Sequence, residues 1–469
     1  MKDAVVVLMA ALLAILPSGC RRQTIGPPTS SNPAAARHGR SPTADGGRTS
    51  QETPSEAAWY RMWQSDPAAS AVPERWRDLF ATLTRSQAAL DFDSRGRLIG
   101  ADMASGRRVG GDAEIRAAVL LPHLRRLAVS GFGVTPSGVH ALASCKTLEE
   151  LGLENTQIDD TALAELASLP RLRSLNLRRS VHLTDAAIET LLRFPKLEQL
   201  YLHDNGFSAK SLRNLAALQG LRLLDLRGCP GVGIEVLREI CRIPNLTDLR
   251  LRGYSIDDPC MEVVANCRAM SAFTLEEAAV TGKGLSRLAD LPIASLTLYK
   301  CLSIGEDDLA VLARMPHLVR LSLRDMPVRG DFLRFLRDGS QLTELRLYQT
   351  MVSDSVGEHL SRLQSLRRLD LSKTLVSDPV TAALAKLTSL EELALAETMV
   401  TDQGLLALQA LKDLRQLDLS GTIGVTDETI ATLEALPKLQ TVFLAGTSVT
   451  REGLARLGDL AKAAVLPGE

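Results

Sequence analysis

Aromatic side chains are scarce: they make up 4% of the 469 residues, and all three tryptophans (Trp59, Trp63, Trp76) fall early in the chain. Hydrophobic residues nevertheless reach 45%. A core rich in Leu and Ala but poor in Phe and Trp points to small repeated layers rather than one large irregular interior. No charge predominates, with 54 Lys+Arg against 55 Asp+Glu and a net charge of −1. That balance excludes a protein whose main business is coating nucleic acid or anionic membrane. The 33 Gly and 21 Pro are too few for a collagen-like or mostly disordered chain. Cys-x-x-Cys and His-x-x-x-His spacings are lacking, so a zinc site has no support. Gly-x-Ser-x-Gly, phosphate-loop and dinucleotide fingerprints are lacking too. Thr281-Gly282-Lys283-Gly284 is the nearest phosphate-loop mimic, without the preceding glycine. The seven His are scattered. The chain reads as a non-enzyme with no metal, no cofactor and no small-molecule substrate.

What is present begins with an apolar run of 13 residues, Ala4–Leu16, behind Lys2. It is too short to cross a hydrocarbon layer of about 30 Å and suits the core of a secretory signal. The run ends in Leu16-Pro17-Ser18-Gly19-Cys20. Ser18, Gly19 and Cys20 resemble the lipobox of bacterial lipoproteins, although Pro17 departs from the usual Leu. The resemblance implies a signal peptide over 1–19 and lipidation of Cys20; the bland alternative is an ordinary cleaved signal. Residues 20–53, rich in Pro, Ser, Thr and Gly, read as a flexible tether. The resemblance further implies export to the cell envelope with a lipid anchor, and Arg21 in place of Asp favours the outer membrane over the inner.

The remainder is periodic. Aligned on L-x-x-L-x-L, fourteen units start between Leu124 and Leu439 at intervals of 23 to 25 residues, with a degenerate unit at Arg97–Leu121. Each unit alternates like a half-buried strand and then shows helical spacing, as in Leu405, Leu408 and Leu411. Ser/Thr-Asp pairs such as Thr184-Asp185, Ser353-Asp354 and Thr401-Asp402 open the helices as caps. The same role is expected of the doublets Asp159-Asp160, Asp257-Asp258 and Asp307-Asp308, in preference to calcium binding. Pro170, Pro195, Pro244, Pro316 and Pro437 stop the helices before the next strand. A strand and a helix cannot bury their apolar edge alone, but stacked units can.

These units resemble the leucine-rich-repeat family, in its ribonuclease-inhibitor-like class, and predicted bacterial lipoproteins built from it. The resemblance implies an α/β fold: a right-handed horseshoe solenoid with an inner parallel sheet and outer helices over 97–450. Residues 54–96 are expected to form a helical cap and 451–469 a closing helix and tail. Among the cysteines, Cys229 and Cys301 lie about 15 Å apart along the sheet, too far for a bridge. Cys241 and Cys267 are in neighbouring units but out of register, which leaves a bridge open without favouring one; small buried thiols are the default.

A scaffold of this family does not dictate a ligand. Two stripes, the residue between the strand leucines and the one after the second, should face the concavity. They hold Arg178, Tyr201, His203, Asp225, Arg227, Arg250, Arg252, Tyr299, Arg324, Arg346 and Tyr348. Three of the five Tyr fall there, whereas the last units carry Ala394, Ala396, Ser420 and Ala445. Arg and Tyr are the side chains most often found at binding hot spots, so a protein or peptide partner with acidic groups is expected; ordinary strand preference and surface polarity are the alternative. Arg320, Glu344, Arg368 and Glu392 form a further, third stripe, predicted as a structural charge ladder. The expected function is a membrane-anchored protein-binding scaffold. A structural envelope protein and a substrate receptor resembling the F-box/leucine-rich-repeat proteins are the other readings.

Overall fold

The computed structural model describes residues 54–104, 110–336 and 340–457. The expected signal 1–19, Cys20 and the tether 20–53 lie outside these, as does the tail beyond 457. Two helices, Glu56–Ser65 and Glu74–Arg85, come first. Their aromatic rings pack on one another, Trp76 stacking on Phe80 at 5.5 Å and Tyr60 meeting Phe80 edge-on at 5.2 Å. The expected all-helical cap also contains a strand, β1 (Ala89–Phe92), which pairs antiparallel with β2 (Leu98–Asp102) and covers the sheet's first edge.

From β2 onward each unit contributes one strand: β3 (Arg126–Ser130), β4 (Glu150–Glu154), β5 (Ser174–Asn176), β6 (Gln199–Tyr201), β7 (Leu223–Asp225), β8 (Asp248–Arg252), β9 (Ala272–Glu276), β10 (Ser295–Tyr299), β11 (Arg320–Arg324), β12 (Glu344–Arg346), β13 (Arg368–Asp370), β14 (Glu392–Ala394), β15 (Gln416–Asp418) and β16 (Thr441–Phe443). They pair in sequence order as one sheet of 16 strands, parallel after the first pair. This is the leucine-rich-repeat architecture. The second and third leucines of each unit, such as Leu321 and Leu323, are buried between sheet and helices. The connecting turns are α-helical in most units but tighten to 3-10 over Asp307–Arg314 and Asp331–Phe335.

From β3 onward each strand is followed by a left-handed residue, among them Asn155, Asp204, Lys300, Asp325, Gln349, Lys373 and Glu397 with φ between 50° and 59°. Glycine takes that position at Gly131, Gly228, Gly253, Gly421 and Gly446. The next side chain closes the strand's loose carbonyl, Thr350 donating to Leu347 at 2.7 Å and Thr398 to Leu395 at 2.7 Å, whereas the Cys229 thiol reaches back to Leu202 of the preceding unit at 3.1 Å. Burial pushes that thiol up to about 12 and the Cys301 thiol to about 11, so both stay protonated and inert.

The helix-opening Thr-Asp pairs do more than the capping expected of them. The hydroxyl caps its own helix, as Thr426 does for the Glu428 amide at 3.2 Å. The carboxylate instead reaches the following unit. Asp378 accepts from the Thr401 amide and hydroxyl, both at 2.7 Å, and Asp402 does the same with Thr426. The pattern recurs from Asp112 to Thr135, Asp160 to Thr184, Asp185 to Ser208, Asp258 to Thr281, Asp354 to Ser377 and Asp427 to Thr450. Two of the three doublets divide these tasks, while in the third Asp307 pairs with Arg334 at 2.8 Å and Asp308 accepts from the Gly305 amide at 2.9 Å. Asp159 and Asp257 cap their own helices while Asp160 and Asp258 bond forward. A glycine three residues after the receiving Thr makes room: a Cβ on Gly138, Gly284, Gly404 or Gly453 would overlap Oδ1 of Asp112, Asp258, Asp378 or Asp427.

One cysteine expectation is overturned. Cys241 and Cys267 form a disulfide with Cα atoms 4.7 Å apart. Both lie just past the ends of successive helices, Cys241 one residue after Ile234–Ile240 and Cys267 three residues after Asp258–Val264. Cys145, Cys229, Cys260 and Cys301 are buried free thiols.

Candidate functional site

Alternation along a strand sends the leucines inward and the intervening residues to the sheet's helix-free face, a pattern explicit in β8, β10 and β11. The candidate residues occupy this face, but they do not form one free cationic surface. In the units from β4 to β9 the arginines are spent on carboxylates. Arg227 holds Asp225 at 2.6 Å and Glu276, two strands away, at 2.7 Å. The Asp225 side chain is only 2% exposed. Arg250 pairs with Asp248 at 2.7 Å and lies over the Tyr201 ring at 5.8 Å. Arg252 is bound to Asp204, which also receives Arg179 at 3.2 Å. Arg178 pairs with Glu154 at 3.2 Å and Arg346 with Glu344 at 2.7 Å.

His203 is a further correction, being buried rather than presented to solvent. Its ring is 6% exposed and neither nitrogen makes a hydrogen bond, although Nε2 stands 3.2 Å from Asp204 Oδ2. Burial, helped by the Arg227 charge, lowers its pKa to about 4, so the imidazole is neutral at physiological pH.

The charge ladder also differs from expectation. Arg320, Glu344, Arg368 and Glu392 do face one another in register. Glu344, however, is nearly buried and taken by Arg346 and by Arg368 at 3.1 Å. Arg320 turns instead to the Ser295 hydroxyl at 3.4 Å. Its availability is invisible to stripe reading, because it depends on which of three arginines wins one carboxylate.

The units β10 to β13 hold a different arrangement. Arg324 is exposed and lies over two rings, Tyr299 at 5.4 Å and Tyr348 at 5.3 Å. Lys300 covers Tyr299 at 5.1 Å and Lys373 covers Tyr348 at 5.6 Å. These lysines pair with Asp325 at 3.5 Å and Glu397 at 3.2 Å. Tyr–cation stacking fixes the planar groups without using the guanidinium's N–H edges. Among the described residues no group of three or more His, Cys, Asp or Glu is placed to hold a metal ion, and no helix is long and apolar enough to cross a membrane.

No protein-family model and no curated protein sequence matches the chain. Among solved structures it is similar to an internalin (InlF) of Listeria monocytogenes, at 19% identity and a TM-score of 0.40 over 83% of this chain and 93% of that one. It is also similar to a leucine-rich-repeat protein of Leptospira interrogans, at 16% identity and a TM-score of 0.42 over 75% and 92% of the two chains. The assignment of the fold rests on the repeat and the strand register.

Proposed function

We propose that the protein is an exported, lipid-anchored scaffold that binds a protein or peptide on the helix-free, concave face of its solenoid. The observation that carries this reading is the Tyr299–Arg324–Tyr348 stack. It places large planar side chains with directional donors on an exposed sheet, the chemistry enriched at protein-binding hot spots. Anchoring through Cys20, and an envelope location favouring the outer membrane, rest on the lipobox resemblance. The Cys241–Cys267 bridge supports export, since disulfides persist in oxidising compartments.

A photoreactive amino acid in place of Tyr348 tests the reading, with one in place of the exposed Arg287 on an outer helix as the control. Irradiation of intact cells should give a discrete protein adduct from position 348 and none from 287. Adducts at 287 alone, or identical smears from both positions, would leave the concave face without a partner.

A further inference from the structure

Strand β11 is unlike its neighbours. It reads Arg320-Leu321-Ser322-Leu323-Arg324, and both arginines are exposed on the helix-free face. Among the described residues neither makes an ion pair. The carboxylate opposite Arg320, Glu344, is already shared by Arg346 and Arg368. The carboxylate beside Arg324, Asp325, belongs to Lys300. The other arginines of the two candidate stripes, Arg178, Arg227, Arg250, Arg252 and Arg346, all hold an acid. Arg324 is moreover held between two tyrosine rings, which orients its planar group while leaving its donor edges for a ligand.

We infer that β11 is an anion-reading strip that binds an extended acidic peptide segment of the partner, with one carboxylate on Arg320 and a second on Arg324. The inference rests on the scaffold reading above and narrows it. Arg320 and Arg324 lie four residues apart on one strand face, about 13 Å at roughly 3.3 Å per residue. An extended peptide repeats the same spacing between positions i and i+4, which share a face. Paired carboxylate–guanidinium contacts would be bidentate and directional. A nucleic acid or anionic bilayer fits poorly, because its dense charge would also meet Glu344, Asp325, Glu276 and Glu397 around the strip.

A random ten-residue peptide library displayed on phage, selected on the full chain, supplies the test. The selected pool should be enriched in Asp or Glu pairs spaced i, i+4. A fluorescent peptide of the consensus should bind at least tenfold more weakly to Arg324→Gln and to Arg320→Gln, with melting temperature unchanged. Its Gln-for-Glu version should bind the wild type equally poorly. A pool no more acidic than the input, or binding insensitive to both substitutions, overturns the inference. So does binding of single-stranded RNA or phosphatidylglycerol vesicles with the same dependence on Arg324. The scaffold reading fails through absence of the position-348 adduct, a result distinct from a non-acidic pool, so the two failures are told apart.

Discussion

Asp378 occupies the space that a methyl group on Gly404 would fill, and it does so while bonding the Thr401 backbone and hydroxyl of that same following unit. Helical glycine normally gives up about 1 kcal/mol relative to alanine, so Gly404→Ala should stabilise an ordinary helix. Here it should lower the melting temperature. In an Asp378→Ala background the same change should become neutral or stabilising. A double-mutant cycle by urea unfolding should return a coupling of about 1 kcal/mol or more.

The forward-bonding carboxylates also predict the acid limb of stability. Serine or threonine partners hold Asp185 and Asp427 below the ordinary 3.8; in Asp258 burial opposes this, and the Thr281 hydroxyl and amide outweigh it. A carboxyl depressed by folding stabilises fully above its unfolded value and loses that contribution as pH falls through its folded value. Melting temperature should therefore decline gently below about pH 6.5, where unfolding lets His203 take up a proton, and below about pH 4 these carboxyls should add a steeper fall. Removing the partner hydroxyls, as in Ser208→Ala with Thr450→Val, should make that fall shallower.

Arg227 is a structural residue of the exposed face, and its substitution should read as a stability defect. Asp225 beneath it is nearly buried and would be left without its counter-charge. Arg227→Ala should cost on the order of 2–3 kcal/mol in urea unfolding. Arg324→Ala, which strands no acid, should stay within about 0.5 kcal/mol of the wild type.

The disulfide sits at one of the interruptions of the carboxylate series. The unit containing helix Ile234–Ile240 opens with Gly233-Ile234 in place of Thr-Asp, and neither junction flanking it shows the Asp-to-Ser/Thr bond that eight other junctions carry. The bridge ties this helix to the next across 26 residues of sequence. Reduction should destabilise the protein by about 3 kcal/mol in the chain-entropy account. Hydrogen exchange should rise first in residues 234–240; a uniform rise would show that the bridge supports no particular junction.

Lipidation is checked by metabolic labelling with a fatty-acid probe. The wild type should carry the label and Cys20→Ala should lose it. Equal labelling of both would remove the membrane anchor from the proposed function.

Much of this was legible in the chain itself, and the reason is locality. The strand leucines, the turn Thr and the helix spacing all recur within one unit, so self-similarity exposes them. What escaped was set between units. The T-x-x-G pattern of Thr401 and Gly404 looks like a weak helix start until the preceding Asp378 is seen to need the space. Arg227 and Glu276 lie 49 positions apart, and Arg252 and Asp204 lie 48 apart. Nothing local announces either pairing. Stripe reading thus placed the arginines on the helix-free face but could not tell the compensated ones from Arg320 and Arg324.

The carboxylate bonds between units all point the same way. In every pair the Asp belongs to the earlier unit and the Ser or Thr to the later one, 23 or 24 residues downstream. A chain emerging amino-terminus first therefore presents a waiting acceptor before its donor has appeared, and each new unit closes onto a template that is already in place. Growth of the solenoid has a direction written into it, matched to the order in which a ribosome delivers residues.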